Sequence, residues 1–255
     1  MTTAPSRVAL FYAPSGDDPL WQAGCAWLGR DAGERVPLPP SPNPLPQGEG
    51  AFVFPPPLEG GAGGGVATAQ HPHVPNLTTD AAGYGFHATL KPPMRLVPGA
   101  TWHDVVACVE ALAQGVAPFD LPALELSNIH GFLALREATP CPALQALADL
   151  CVAGADHLRA PPDAAELARR RRHGLPPAQE AMLVRWGYPY VFATWFFHMT
   201  LTRRLTEAEH AEIRPSAEAH FGAVLQGPRR VADIGLFVQE AGGQFHLARR
   251  VKLCG

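Results

Sequence analysis

Four side chains stand out for the chemistry they can do together: His87 with Thr89, and His198 with Thr200. The first pair sits in Tyr84-Gly85-Phe86-His87-Ala88-Thr89-Leu90-Lys91-Pro92-Pro93, the second in Phe197-His198-Met199-Thr200-Leu201-Thr202. Both read Phe-His-x-Thr-Leu, with the two histidines 111 positions apart. A lone His-x-Thr is most simply a satisfied structural histidine; a matched pair in one chain has the form of two halves of one site. Imidazoles near their ordinary pKa of ~6.5 can share a reaction at neutral pH, one accepting a proton and the other giving one. Two hydroxyls beside them can donate to the oxygens of a tetrahedral anion, stabilising charge where it develops.

If each phrase is a strand, alternation puts His87 and Thr89 on one face and Phe86, Ala88 and Leu90 on the other. His198 and Thr200 likewise share a face, opposite Phe197, Met199 and Leu201. The polar face of each strand then carries the chemistry and the apolar face meets a helix layer. By the same parity Lys91 joins His87, and Arg204, Tyr190 and Tyr188 join His198, whereas Arg203 points away. Lys91 and Arg204 are expected as counter-charges for phosphate and Tyr190 as a platform for a sugar or base, each against the plainer reading of a solvated or packing residue. No carboxylate adjoins either His, so no metal site and no cofactor is expected.

Around these phrases the elements repeat. Arg7 to Tyr12 reads as a strand, and Asp17 or Asp18 caps a helix running to about Arg30. A helix starts at Thr101 or Asp104 and closes at Gly115. Leu124–Ser127 and Phe132–Leu135 flank a hairpin turn at Asn128-Ile129-His130-Gly131. Helices are expected over 141–158, 164–173 and 178–186, then one long strand from Tyr188 to Leu205. Thr206 with Glu209 forms a capping box opening a helix to about Phe221. Strands over 231–238 and 244–249 close the chain. Each half thus shows a His-x-Thr strand, a helix and a strand pair, so the fold class expected is α+β: two duplicated β-α-β-β-like lobes about a pseudo-two-fold axis, with the histidines facing across a central cleft. The whole chain, 1–255, is read as one such domain. It is interrupted at about 37–66 by a low-complexity insertion in which 16 of 30 residues are Pro or Gly, a composition unsuited to a core element. The His71-Pro72-His73 that follows is read as incidental, and Arg169–Arg172, which point all round a helix, as a solvated face.

The bulk properties bound the partners. At 255 residues, 47% hydrophobic and net charge −3, the chain is globular with no general attraction to polyanions. Its five cysteines are scattered, with no C-x-x-C, which fits free thiols and a cytoplasmic location. No apolar run reaches membrane-spanning length.

The paired phrases resemble the 2H phosphoesterase superfamily. The wider wording, Phe11-Tyr12-Ala13-Pro14, Leu20-Trp21 with Trp27-Leu28-Gly29-Arg30-Asp31, the two His-x-Thr phrases and Tyr188-Pro189-Tyr190, is similar to its DUF1045 branch, associated with phosphonate utilisation. The resemblance implies His87 and His198 as catalytic, Thr89 and Thr200 as phosphate donors, and metal-independent opening of a small sugar or nucleotide cyclic phosphate. Alternatives are a hydrolase of RNA ends bearing 2′,3′-cyclic phosphate, acting on short RNA, and a non-catalytic phosphometabolite-binding protein of the same fold. A monomer acting on a small phosphate ester is the expected state.

Overall fold

The structure, a computed structural model, describes residues 6–33, 75–227 and 229–255. The Pro/Gly-rich segment at 37–66 and His71-Pro72-His73 lie outside them. In order, the elements are β1 (Arg7–Tyr12), α1 (Pro19–Leu28), α2 (Pro75–Tyr84), β2 (Ala88–Met94), α3 (Trp102–Gln114), β3 (Phe119–Leu121), β4 (Leu124–Ile129), β5 (Phe132–Glu137), α4 (Pro142–Gly154), α5 (Ala164–Arg171), α6 (Pro177–Trp186), β6 (Met199–Arg204), α7 (Glu207–Leu225), β7 (Arg229–Val231), β8 (Asp233–Gln239) and β9 (Phe245–Lys252).

Local chemistry sets most boundaries. Asp18 caps α1 by accepting from the Leu20 amide, and the Thr101/Asp104 and Thr206/Glu209 capping boxes open α3 and α7. Gly187 ends α6 in the left-handed region. His130 and Gly131, with φ of 49° and 97°, turn the chain between β4 and β5, as a two-residue hairpin with the right-handed twist of its strands requires.

Two expectations near the site are corrected. Tyr84 belongs to a helix, α2, and the chain breaks at Gly85 before β2 begins at Ala88. The stretch from Tyr188 is not strand until Met199: Thr194 Oγ1 accepts from the Val191 amide and donates to carbonyls of Pro189 and Val191, winding a 3-10 turn over Phe192–Thr194. That local bonding competes with a sheet ladder.

Seven strands form one antiparallel sheet in the order β4-β5-β6-β2-β1-β8-β9, and β3 pairs with β7 separately. The two His-x-Thr strands are adjacent at its centre, Ala88 opposite Met199. Two antiparallel neighbours carrying the same phrase are related by a local two-fold axis between them. The duplication is therefore present, but its halves are exchanged. The β4–β5 hairpin from the first half builds on β6, while β8–β9 from the second half builds on β1. One hydrophobic core runs through both halves, from Val8 and Leu10 to Phe237 and Val251. Among the described residues no helix is long and apolar enough to cross a membrane, and all five cysteines are free thiols.

Candidate active site

Each histidine stands one residue before its strand, anchored by the Phe that precedes it. Phe86 and Phe197 are completely buried. Phe86 occupies the space left by Gly24 of α1, where a Cβ would sit 2.2 Å from its ring, and it faces Phe221 of α7. Trp27 Nε1 donates to Leu201 O and Trp195 Nε1 to Thr89 O, tying both strands to their surroundings.

The two imidazoles are held alike. His87 Nδ1 lies 2.8 Å from Gly85 O, and His198 Nδ1 lies 3.1 Å from Phe196 O. A carbonyl only accepts, so each Nδ1 carries the proton and each Nε2 presents a lone pair away from its own backbone. Gly85 reaches this geometry at φ +81°, and a Cβ there would lie 2.4 Å from that of Ala32, so glycine is required twice over. Each ring is also stacked on a phenylalanine: His87 on Phe11 at 3.8 Å and His198 on Phe196 at 4.7 Å between centroids.

From the Ala88–Met199 pairing, antiparallel register sets His87 beside Thr200 and Thr89 beside His198. Thr89 Oγ1 is 3.5 Å from His87 Nε2. Burial pushes the His87 pKa down to about 4, with a further lowering from the charge of His198. Burial does the same to His198, also to about 4, and the guanidinium of Arg136 adds to it. Both rings are thus neutral bases in the free protein at pH 7. An anion placed between them would reverse the balance and let one hold a proton.

Of the remaining sequence candidates, Tyr190 is half-buried and meets Phe196 edge-on at 6.3 Å, and Phe196 in turn stacks on His198. Arg204 lies opposite Phe132 at the far end of β6, half-buried against Gly131, with its charge felt at Tyr190. Lys91 does not reach the histidine pair. Register shifts between β1 and β2 displace it from the Thr89 alternation, and it is only 1% exposed. Its Nζ donates to Val152 O at the end of α4 and lies 3.8 Å from Asp156. Its polar atom is spent inside the fold, so the phosphate-binding role expected of Lys91 is withdrawn. The four-arginine run is likewise uneven. Arg171 and Arg172 face solvent, while Arg170 turns inward to pair with Glu166 and lie over Tyr188, 4.7 Å from its centroid.

Arg136 at the end of β5 was not visible from the sequence. Ala134 lies opposite Thr200 and Leu135 opposite Met199, so Arg136 falls beside His198 on its face. Its parity with Ala134 was readable; that β5 pairs with β6 was not. Among the described residues no three His, Cys, Asp or Glu side chains gather in a metal-ligand group.

Comparison with known proteins places the chain. Residues 89–246 match the family model described as "Protein of unknown function (DUF1045)", and the chain belongs to that family. It is 37% identical over 228 residues to a protein of Janthinobacterium sp. (strain Marseille) named ribose 1,5-bisphosphate phosphokinase PhnN, covering 86% of this chain and 44% of that one. It is 36% identical over 248 residues to a protein of the same name from Laribacter hongkongensis (strain HLHK9), covering 97% of this chain and 52% of that one. The chain thus spans about half the length of the curated relatives it matches. Among solved structures, E. coli LigT complexed with NADP+ aligns over 99% of this chain and all of its own, at 12% identity and a TM-score of 0.45. A structure described as a phosphoesterase aligns over 98% of this chain and all of its own, at 12% identity and a TM-score of 0.41.

Proposed function

We propose that this protein hydrolyses a small cyclic phosphodiester by two-histidine acid/base catalysis, in phosphonate utilisation. The observation that carries the reading is the shared fixation of both rings, each Nδ1 bonded to the carbonyl two residues before it, on adjacent strands that also bring Thr89 and Thr200 together. One neutral histidine takes a proton from water, and the resulting hydroxide forms a bond to phosphorus. The bond from phosphorus to one ring oxygen breaks, and that oxygen takes a proton from the other histidine, held as imidazolium by the bound anion. Thr89 and Thr200 donate to the non-bridging oxygens as their charge grows. The product is a phosphate monoester with a free neighbouring hydroxyl.

The name of the relatives supports a narrower substrate proposal. Their name describes a kinase, yet this chain matches only about half of each. One common kinase device, a Gly-x-x-x-x-Gly-Lys-[Ser/Thr] phosphate loop, has no counterpart here: the two lysines, Lys91 and Lys252, follow Leu90 and Val251. We assign the named kinase activity to the unmatched half of those proteins and a neighbouring reaction to the half this chain resembles. Cleaving the O2–P bond of a ribose 5-phosphate that carries a 1,2-cyclic phosphate yields ribose 1,5-bisphosphate, the compound in their name. That cyclic ester is the substrate proposed.

The test is hydrolysis at pH 7 with EDTA present. The panel holds the 1,2-cyclic phosphate of ribose 5-phosphate, 2′,3′-cyclic nucleotides and a short RNA with a cyclic end. Preferred turnover of the ribose ester supports the reading. Preferred turnover of the RNA end would replace it with RNA-end processing, and binding without turnover of any member would replace it with a phosphometabolite-binding role.

A further inference from the structure

We propose that Arg136 holds a second anionic group of the substrate, a phosphate that does not react, on the His198 side of the histidine pair. The inference rests on reading the two histidines as the site of the reacting phosphate. That phosphate belongs between β2 and β6, where the two His-x-Thr pairs meet. Arg136 stands one strand further out, about 5 Å away in the hydrogen-bonding direction.

Among the described residues Arg136 forms no ion pair, and its charge is met only by the neighbouring Glu137 carboxyl, which burial pushes up all the same. Arg136 is half-buried, and its Nε is shut off from solvent with no hydrogen-bond partner. Glu125 lies directly opposite on β4 but is exposed and forms no ion pair with it. Glu137, next in sequence, belongs to the opposite face. A guanidinium N–H withdrawn from water without an acceptor is costly unless a bound anion supplies one, and the planar fork suits phosphate oxygens.

The local two-fold makes the placement directional. Continuing the β1–β2 register, in which Tyr12 lies opposite Ala88, sets Ala13 beside His87. Ala13 is a buried apolar residue, 2% exposed, where the His198 side has Arg136. The residue beside each histidine thus differs, and the guanidinium that approaches Ala13, that of Arg250, is already bonded to the Ala13 and Pro14 carbonyls and paired with Asp233, so a substrate with a phosphate at each end has one favoured orientation. Phe132 and Phe196, whose rings lie 5.9 and 4.7 Å from His198, provide an apolar wall for the sugar between its charges.

The test is binding, measured by calorimetry at pH 7 on wild type, Arg136→Met and Arg136→Lys, with ribose 1-phosphate and ribose 1,5-bisphosphate as matched probes. Wild type should bind the bisphosphate about 10- to 100-fold more tightly, the worth of a charge-assisted contact. Arg136→Met should remove most of that gap while changing the affinity for ribose 1-phosphate by less than about threefold, and Arg136→Lys should restore part of it. Equal losses for both ligands would overturn the proposal in favour of a contact to the reacting phosphate. A gap absent from wild type, or unchanged in Arg136→Met, would also overturn it. Because the readout needs no turnover, cyclic esters left unhydrolysed would remove the proposed reaction while a gap lost in Arg136→Met would still stand for the subsite.

Discussion

Both imidazoles are oriented by a backbone carbonyl two residues upstream and both are desolvated, so the residue-level question is when either can carry a proton. In the free protein burial holds each pKa down at about 4. An anion between them favours the charged form and raises the pKa of the bound pair. Binding of a permanently monoanionic cyclic phosphodiester analogue should therefore take up protons. Its affinity should rise as pH falls from 7 toward 5 and level off once the free rings themselves protonate near 4. Calorimetry in buffers of differing ionisation enthalpy reads the proton uptake directly; pH-independent binding without uptake would mean that neither ring meets the anion.

At the scale of elements, Lys91 shows how a pattern misleads. Alternation from His87 through Thr89 puts Lys91 on the histidine face, but register shifts against β1 break it within two residues, between the Phe11–Thr89 and Leu10–Lys91 pairs. The lysine then bridges β2 to the end of α4 through Val152 O. Lys91→Met should lower stability in urea by ~1–3 kcal/mol by leaving that carbonyl unpaired, while kcat/KM stays within about threefold. A selective loss of substrate affinity would restore Lys91 to the site. Caps and turns were legible because their chemistry is local: Thr206 caps as expected, Asp18 and Thr101 are each one of the two caps offered, and the turn expected over Asn128–Gly131 is confined to His130-Gly131. Arg136 was not, since its place beside His198 depends on β5 choosing β6 as neighbour, a partnership that no residue in either strand encodes locally. The irregular path through Phe192–Thr194 was hidden for a related reason, the aromatic and β-branched residues there having the composition of a strand.

For the molecule as a whole, the duplicated phrase correctly indicated two related halves, while the exchange of hairpins between them lies beyond any repeat pattern. It has a mechanical consequence. A chain cut between Glu137 and Pro142 leaves the first fragment without β6, β8 and β9, and the second without the β5 that flanks its own His-x-Thr strand. Neither fragment should fold alone by circular dichroism, and mixing the two from denaturant should recover structure. Two independently folded fragments would contradict the interwoven sheet. The intact chain should unfold in one transition, because a single core spans both halves.

The central claim is that His87 and His198 are the acid and base of one phosphodiester cleavage. The most direct measurement follows the 1,2-cyclic phosphate of ribose 5-phosphate by ³¹P NMR with wild type, His87→Asn and His198→Asn, in ¹⁸O-water with EDTA present. The account predicts one ¹⁸O on the new phosphate monoester in wild type, and rates at least ~10²-fold lower in each variant with ligand binding retained. Turnover that survives either substitution, or label that never reaches phosphorus, would contradict it.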